Sequence, residues 1–342
     1  MSGLQQASER DVNESAIPYS SSGFRVHQSG PAPGHARTVS ILLATYNGAR
    51  FLPGQLLSIA AQTYPHWQLF ASDDGSRDDT WALLQRYAAT WPKGWVRLTA
   101  GPRRGYAANF LSLVCDPEIQ AAAYAFCDQD DIWEADRLAR GLTWLESVPA
   151  EVPALYCSRT RLIDADGTCL GLSPVPARGA SFANALVQNI ASGNTMVFNE
   201  ATRTLLRHAG PDVPVYAHDW WTYIVVTGCG GVVHYDVVPT VRYRQHGGNV
   251  IGADMSWSAR CRRLVRDWQG RLQAFNRNNL IALTRLQDRL TDENREILRH
   301  WEAAQSSSYL YCRLRHLRRS AVHRQTFLGN VSLWATVAAG RA

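Results

Sequence analysis

The stretch Val39-Ser40-Ile41-Leu42-Leu43-Ala44 decides the fold of this chain, and the polar residues Thr45-Tyr46-Asn47 follow it directly. A short apolar run that stops at polar residues is typical of a strand buried on both faces of a parallel sheet. Apolar residues then recur at helical spacing between positions 52 and 60. The sequence therefore predicts a β-strand followed by an α-helix at the start of the fold.

The same order of strand and helix repeats further along the chain. The next predicted strands are 67–71, 96–99 and 124–127, and the predicted helices are 80–87, 107–114 and 136–145. Strands that alternate with helices at this spacing imply right-handed crossovers. We expect an α/β fold with an open, mostly parallel sheet and helices on both of its faces.

Beyond residue 150 the pattern becomes mixed. Segments 154–157 and 161–163, beside the turn-like Asp164-Ala165-Asp166-Gly167, predict a hairpin or a strand pair. The remaining predicted elements are a strand at 194–198 with a helix to residue 208, a helix from His218, two short strands around Pro239 and two or three helices within 258–320.

Length and composition fit one large α/β domain with an appendage. The chain has 342 residues, of which 46% are hydrophobic and 19% charged, so a sizeable core can form. Residues 1–37 are rich in Ser, Gly, Pro and Gln and lack hydrophobic periodicity, which predicts a disordered leader. We predict the main domain at 38–255 and a helical, arginine-rich C-terminal extension at 256–342.

Positive charge is concentrated in this extension. The formal net charge is +6 and comes almost wholly from arginine, because Lys93 is the only lysine. A basic region of this kind can attract anionic lipid head groups or a diphosphate-linked acceptor, which predicts peripheral contact with a membrane. A solvated helix face is the alternative explanation for each single arginine.

Cysteine usage and hydropathy indicate the compartment. The seven cysteines are scattered and form no C-x-x-C pair, which argues against a disulfide framework or a zinc site. The N-terminus lacks a charged region followed by an apolar run, and no stretch reaches the ~18 apolar residues that a membrane span needs. We expect the protein to lie in the reducing cytoplasm. Its peripheral contact with the membrane would then be on the inner face.

Polar and acidic clusters follow three of the predicted strands. They are Thr45-Tyr46-Asn47, Ser72-Asp73-Asp74-Gly75-Ser76 and Asp128-Gln129-Asp130-Asp131. Ligands of open α/β sheets bind beyond the carboxyl ends of the strands. Asp128 and Asp130 can supply carboxylate ligands to Mg²⁺ or Mn²⁺, which also bind phosphate oxygens. An acidic helix cap before Ile132 is the alternative.

Taken in order with Gln55-Leu56-Leu57-Ser58-Ile59-x-x-Gln62-Thr63 and Asp131-Ile132-Trp133, these clusters resemble glycosyltransferase family 2, and in particular its rhamnosyltransferase-like members. The motifs lie in the family's order and spacing within residues 38–249. The resemblance implies a GT-A fold and metal-dependent, inverting transfer of a sugar from a nucleotide-sugar donor to a hydroxyl of a cell-surface polysaccharide or lipid-linked glycan. It favours dTDP-L-rhamnose as the donor, with UDP- and GDP-sugars as alternatives.

The resemblance also assigns roles around the donor. The residues that it places at the nucleotide or its sugar are Thr45, Tyr46, Asp73, Asp74 and Asp128, with Tyr46 against the nucleobase. Asp130 would be the principal ligand of Mg²⁺ or Mn²⁺, with Asp128 beside it. An ordinary Asp-Gly turn is the alternative for Asp73 and Asp74. For Arg104, Asn109 and Asp131, donor contact and a local structural role are both open.

The catalytic carboxylate of the family falls on His218-Asp219-Trp220-Trp221, so the resemblance makes Asp219 the general base. A helix cap is the alternative for Asp219, and core packing is the alternative to sugar contact for the two tryptophans. His246, in the segment 244–249 that resembles a mobile donor loop, would reach the metal or the diphosphate, or else bind loop backbone. Ser192-Gly193-Asn194-Thr195 lies where the family contacts the acceptor, and a turn is its alternative.

Two other classes of protein compete with this interpretation. A nucleotidyltransferase needs a glycine-rich phosphate cradle after the first strand, whereas this chain has only Gly48 there. A non-catalytic sugar-nucleotide-binding subunit would have lost the metal ligand or the base, yet Asp130 and Asp219 are both present. An active transferase is therefore the favoured prediction.

Overall fold

The computed structural model describes residues 38–246, residue 274 and residues 276–340. The predicted leader at 1–37, the glycines of the donor loop at 247–248 and the first part of the predicted C-terminal helices lie outside the described residues.

Nine strands of the described chain form one sheet, in the spatial order β3-β2-β1-β4-β8-β6-β9-β5, and β7 pairs with β6. The strands are β1 (Val39–Thr45), β2 (Trp67–Asp73), β3 (Val96–Ala100), β4 (Ala123–Cys127), β5 (Ile132–Trp133), β6 (Ala154–Ile163), β7 (Cys169–Leu172), β8 (Val197–Asn199) and β9 (Val232–Arg244). The helices are α1 (Leu52–Ala60), α2 (Thr80–Thr90), α3 (Tyr106–Cys115), α4 (Arg137–Leu145), α5 (Phe182–Ala185), α6 (Glu200–Ala209), α7 (His218–Gly228), α8 (Asp292–Ser306), α9 (Leu310–Ser320) and α10 (Phe327–Ala338).

The first half of the sheet is the predicted βαβ arrangement. Strands β3, β2, β1 and β4 are parallel neighbours, and Thr45 at the end of β1 lies opposite Asp73 at the end of β2. The register therefore brings the polar clusters after β1 and β2 to the same edge of the sheet. Strand β4 ends at Cys127, so the acidic cluster that follows it joins this edge.

The second half of the sheet is mixed. Strand β8 is antiparallel to β4 and β6, β6 is parallel to β9, and β5 is antiparallel to β9 at the far edge. The predicted α/β fold with an open sheet is confirmed, with parallel pairing concentrated around β1.

Three predicted boundaries in the second half are wrong. Segments 154–157 and 161–163 are one strand, β6, and the turn after it leads to β7. The two strands predicted around Pro239 are one strand of 13 residues, β9. Its register against β6 passes from Ser158–Asp236 to Thr160–Val241, so Pro239 lies in a bulge where its missing N–H costs no ladder bond. The strand predicted at 194–198 begins only at Val197 and ends at Asn199, because Gly193–Thr195 form a 3-10 turn.

Apolar residues pack on both faces of the sheet. Leu42 belongs to the buried cluster on one face, while Ile41 and Leu43 belong to the cluster on the other. This alternation explains why β1 is apolar along its length. Side chains of the C-terminal helices, including Trp301 of α8 and Leu333 of α10, lie in the same cluster as Leu42.

Among the described residues, none of the helices combines the length and apolar character that crossing a bilayer requires. The six cysteines of that part of the chain are free thiols.

Candidate active site

Asp73 holds the turn after β2 with both of its carboxylate oxygens. Its Oδ1 accepts hydrogen bonds from the hydroxyls of Thr45 and Ser76 at 2.9 and 2.5 Å. Its Oδ2 accepts from the backbone N–H groups of Gly75 and Ser76 at 3.2 and 2.8 Å. These bonds give the Asp73 side chain the turn-forming role that was the alternative to nucleotide contact.

Asp74 fastens the loop that precedes α3. Its two oxygens accept from the backbone N–H groups of Arg103 at 2.5 Å and Gly105 at 2.7 Å. Asn109 is buried and exchanges hydrogen bonds with Ser72, so its side chain has a structural role. Arg104, also considered for donor contact, is ion-paired with the exposed Asp212 at 2.5 Å.

Tyr46 presents its ring at the open edge of the sheet. Its side chain is 54% exposed, while its backbone is held by Gln129 of the acidic cluster. The Gln129 side chain accepts from Tyr46 N–H at 2.9 Å and donates to Tyr46 O at 3.0 Å. The exposed ring is thus fixed beside the acidic cluster and is available to stack on a planar ligand.

Asp131 ties together three distant segments of the site. It is 1% exposed, and its Oδ1 accepts from Arg244 N–H at 3.0 Å while its Oδ2 accepts from the Asn194 amide at 2.6 Å. The Arg244 guanidinium donates to the carbonyl oxygen of Asp130 at 2.9 Å. Asp131 and Asn194 therefore support the site from inside the protein.

Asp130 and His246 lie within hydrogen-bond distance of each other. The Oδ2 atom of Asp130 lies 2.8 Å from Nε2 of His246. The His246 ring packs against Phe51 with 4.8 Å between the ring centroids. A carboxylate and an imidazole 116 positions apart in sequence are thus brought to one point at the sheet edge.

The acidic cluster is electrostatically unfavourable without a cation. Burial and the neighbouring carboxylates of Asp131 and Asp130 raise the pKa of Asp128 well above its ordinary value. Burial and then Asp130 raise the pKa of Asp131 to about 7. Arg137, fully buried beneath the cluster, donates to the carbonyl oxygens of Phe126 and residues 194 and 196 and offsets only part of this charge.

The chemistry of this cluster fits a divalent cation. Carboxylate oxygen together with imidazole suits Mn²⁺, and Mg²⁺ takes carboxylates together with substrate phosphates. Within residues 38–246 and 276–340, no three His, Cys, Asp or Glu side chains are grouped so as to enclose an ion. Asp130 and His246 would therefore hold a metal jointly with oxygen atoms from a ligand or water.

Asp219 lies at the start of α7 but does not cap it. Ala217 is the N-cap residue, and Asp219 is the second residue of the helix. Its Oδ2 accepts from the Asn189 amide at 3.0 Å and from Gly193 N–H at 3.1 Å, and its Oδ1 accepts from Trp220 N–H at 2.7 Å. Burial raises the pKa of Asp219 despite these three bonds.

Asp219 and the acidic cluster share one site. The negative charge of Asp219 contributes to the raised pKa of Asp128, and it is the largest charge effect on Tyr106 after burial. The Tyr106 hydroxyl is buried and has no hydrogen-bond partner among the described residues. A buried hydroxyl without a partner is costly, so this hydroxyl, within electrostatic reach of Asp219 and Asp128, marks a place where a polar ligand can bind.

His218 supports this region as a neutral ring. It is 3% exposed and stacks on Phe110 with 3.8 Å between centroids. Burial lowers the pKa of His218 to about 3, and neither ring nitrogen has a hydrogen-bond partner in the described chain. Trp220 and Trp221 are buried as well, so core packing rather than an open sugar platform describes both.

The sequence interpretation missed Tyr106, Asn189 and Arg137. Tyr106 follows the end of β3, which is the same kind of strand-end position as the three clusters that were recognised. That position is the signal by which it could have been found. Asn189 and Arg137 act through contacts made by the tertiary fold, and their sequence surroundings give no comparable signal.

Comparison with known proteins finds similarity to glycosyltransferases. The family model described as Glycosyl transferase family 2 matches residues 40–160. The dTDP-rhamnosyl transferase RfbG of Shigella flexneri is 28% identical over 235 residues, which cover 65% of this chain and 78% of RfbG. The UDP-Glc:alpha-D-GlcNAc-diphosphoundecaprenol beta-1,3-glucosyltransferase WfgD of Escherichia coli is 30% identical over 29% of this chain and 38% of its own length.

Solved structures show the same fold at low sequence identity. TarS 1-349 of S. aureus in complex with UDP-GlcNAc superposes with a TM-score of 0.55 at 12% identity and covers 89% of this chain and 88% of that chain. GalNAc-T7 with UDP, GalNAc and Mn²⁺ has a TM-score of 0.51 at 14% identity, over 88% of this chain and 57% of that one. The chain thus has a GT-A type fold, and its residues 40–160 match the model of glycosyltransferase family 2.

Proposed function

We propose that this protein is an inverting glycosyltransferase that moves L-rhamnose from dTDP-L-rhamnose to a hydroxyl of a cell-surface polysaccharide or lipid-linked glycan. The observation that carries the proposal is the buried carboxylate of Asp219, held by three N–H donors in the same site as Asp128 and apart from the Asp130–His246 pair. The similarity to RfbG supports rhamnose as the sugar.

Asp219 is the general base of this proposed reaction. The acceptor hydroxyl gives its proton to the Asp219 carboxylate while its oxygen bonds to the anomeric carbon of the donor. The bond from that carbon to the phosphate oxygen breaks, and the nucleoside diphosphate leaves with the bonding electrons. Burial raises the pKa of Asp219 and so makes the carboxylate a stronger base than an exposed aspartate.

Asp130 and His246, with Asp128 beside them, are the proposed ligands of Mg²⁺ or Mn²⁺. When bound there, the ion would neutralise the charge that develops on the leaving diphosphate. The arrangement keeps the ligands and the base on different segments, the ligands after β4 and β9 and the base in α7. This separation is what inversion requires, because the acceptor must attack from the face opposite the leaving group.

The nucleoside of the donor is proposed to lie against Tyr46. The ring is exposed and its backbone is fixed by Gln129, so stacking needs little rearrangement. Thr45, Asp73 and Asp74 would then act by shaping the turn and the loop around the nucleoside, since both carboxylates are already engaged by N–H donors.

A thermal-shift panel of dTDP-, UDP- and GDP-sugars with Mn²⁺ tests the donor. A ligand at 100 times its Kd stabilises the folded protein by about 2.7 kcal/mol, which is readily measured. We expect dTDP-L-rhamnose to give the largest shift in wild type and little shift in Asp130→Asn. A larger shift with another nucleotide sugar would reject rhamnose, and retention of anomeric configuration in the product by NMR would reject the mechanism.

A further inference from the structure

Helix α10 exposes large apolar side chains. Phe327 and Leu328 are 79% and 77% exposed, and Val331 and Trp334 are 51% and 40% exposed. Positions 327, 331 and 334 fall on one side of a helix, while Leu333 on the opposite side is buried in the core. The helix sequence FLGNVSLWATVA contains no charged residue. An apolar stripe of this kind on the outside of a protein marks an interaction site.

Helix α9 adds positive charge next to this stripe. Tyr311 is 74% exposed, and the exposed Arg315, Arg318 and Arg319 follow it at positions i+4, i+7 and i+8, on the same side of the helix. Residues 303–342 contain six arginines and no aspartate or glutamate. Among residues 303–342 these arginines therefore have no acidic neighbour, and Glu296 of α8 is a carboxylate within electrostatic reach of Arg319.

The two helices are in contact. The Arg313 guanidinium of α9 donates to the carbonyl oxygens of Val337 and Ala338 at the end of α10, at 3.5 and 2.7 Å. We call the combined exposed residues the α9–α10 surface. Its members are Tyr309, Leu310, Tyr311, Arg315, Arg318, Arg319, Phe327, Leu328, Val331 and Trp334.

We propose that the α9–α10 surface docks on a lipid bilayer that contains anionic head groups. Aromatic and aliphatic side chains enter the boundary between head groups and acyl chains, and arginines bind the phosphates. A polyanion such as RNA would match the arginines but leave the apolar stripe in water. A second copy of the chain that used the same surface would offer the arginines no carboxylate, because none of the residues of that surface is acidic. A lipid surface is the partner that satisfies both properties.

The surface is anchored to the segment that positions Asp219. In the connection between α9 and α10, Gln325 N–H donates to the Gln188 side chain at 2.8 Å, and the Gln325 amide donates to Asn184 Oδ1 at 3.1 Å. Asn189, next to Gln188, donates to Asp219. Docking would therefore hold the base at a fixed place relative to the bilayer. The docking inference does not rest on the proposed function, because lipid binding is measurable without donor or acceptor.

The test is co-sedimentation of the full chain with vesicles of phosphatidylcholine alone or mixed with phosphatidylglycerol. We expect binding to the mixed vesicles that weakens with salt. The triple variant Arg315→Gln/Arg318→Gln/Arg319→Gln should bind roughly a hundredfold more weakly, at about fivefold per arginine near the surface. The double variant Phe327→Ser/Leu328→Ser should lose the binding that remains at high salt.

Matched controls are Leu170→Ser, an exposed apolar residue of β7, and Arg289→Gln, an exposed arginine outside the surface. Both should bind like wild type, and circular dichroism should show that every variant is folded. If the double variant unfolds, the triple variant still decides the question. Absence of wild-type binding, unchanged binding in the triple variant, or a concentration-dependent dimer that Phe327→Ser abolishes would overturn the proposal. Donor hydrolysis measured without vesicles should stay unchanged in these variants, which separates this inference from the proposed reaction.

Discussion

Replacement of Asp219 by asparagine is the most direct test of the proposed base. The side chain keeps its size, but it can no longer accept the proton of the acceptor hydroxyl. We expect kcat to fall about 10²–10⁴-fold, which corresponds to about 2.7–5.4 kcal/mol of activation free energy. Donor Kd should stay near the wild-type value, because the proposed donor contacts lie at Tyr46 and Asp130.

The structure also bounds the effect of this substitution on stability. Three N–H donors, from Asn189, Gly193 and Trp220, point at the Asp219 carboxylate. The asparagine amide has one acceptor oxygen, so its NH₂ group faces at least one of these donors, at a cost of about 1–3 kcal/mol. Removal of a buried charge offsets part of this cost. A folded variant with a modest loss in unfolding free energy is therefore expected.

The pH dependence gives an independent readout of Asp219. Because burial raises its pKa, the stability that protonated Asp219 contributes is present at low pH and is lost as pH rises through the folded-state pKa. Wild-type kcat should fall on the acid side at a pH above the ordinary range of aspartate, since only the carboxylate accepts a proton. The residual activity of Asp219→Asn should lack this acid limb.

Steady-state kinetics over a range of pH, calorimetric donor binding and urea unfolding supply the measurements. Asp212→Asn is the matched control, because Asp212 is exposed and pairs only with Arg104 among the contacts described above. It should retain wild-type kcat. Full turnover in Asp219→Asn would place the base elsewhere, and simultaneous loss of donor binding and turnover would place Asp219 in the donor site.

Further substitutions probe the rest of the site. Asp130→Asn should nearly abolish transfer at limiting Mn²⁺ with an unchanged circular dichroism spectrum; normal turnover would remove Asp130 from the metal site. Tyr106→Phe should lower kcat/KM about tenfold or more yet leave the melting temperature equal or higher, because its buried hydroxyl has no partner in the described chain; unchanged kinetics would show that substrate does not meet it. Gly193→Ala should lower kcat with a small change in KM, because a Cβ there would lie 2.9 Å from His218 Nε2 and 3.1 Å from Asp219 Cβ; wild-type kcat would show that the site absorbs a methyl group.

Local patterns in the sequence were sufficient for the first half of the fold. The alternation that places Ile41 on one face and Leu42 on the other is visible as an unbroken apolar run, and β1 begins and ends within one residue of its prediction. The bulge of β9 was not predictable in this way. It depends on pairing with β6, about 80 residues away, so Pro239 was interpreted as a strand break.

The same distinction between local sequence pattern and tertiary contact applies to the candidate site. Asp130 and Asp219 could be named as candidates because each stands in a motif that resembles one of glycosyltransferase family 2. The engagement of Asp73 by Thr45 and Ser76 could not be foreseen, since it requires the register of β1 against β2. The hydrogen bond from Asn189 to Asp219 is likewise a tertiary contact, and no local signal marks it.

The bulge in β9 also bears on association between copies of the chain. In the described residues, β5 and the following Glu134 pair with β9 only from Thr240 to Arg242, which leaves the stretch 232–239 as an open sheet edge with Val237 and Val238 exposed. An open edge with apolar side chains is a template for another strand. Pro239 offers no N–H to an incoming strand, and a bulge increases the local twist of the edge. Both features disfavour edge-to-edge pairing with another copy of the chain.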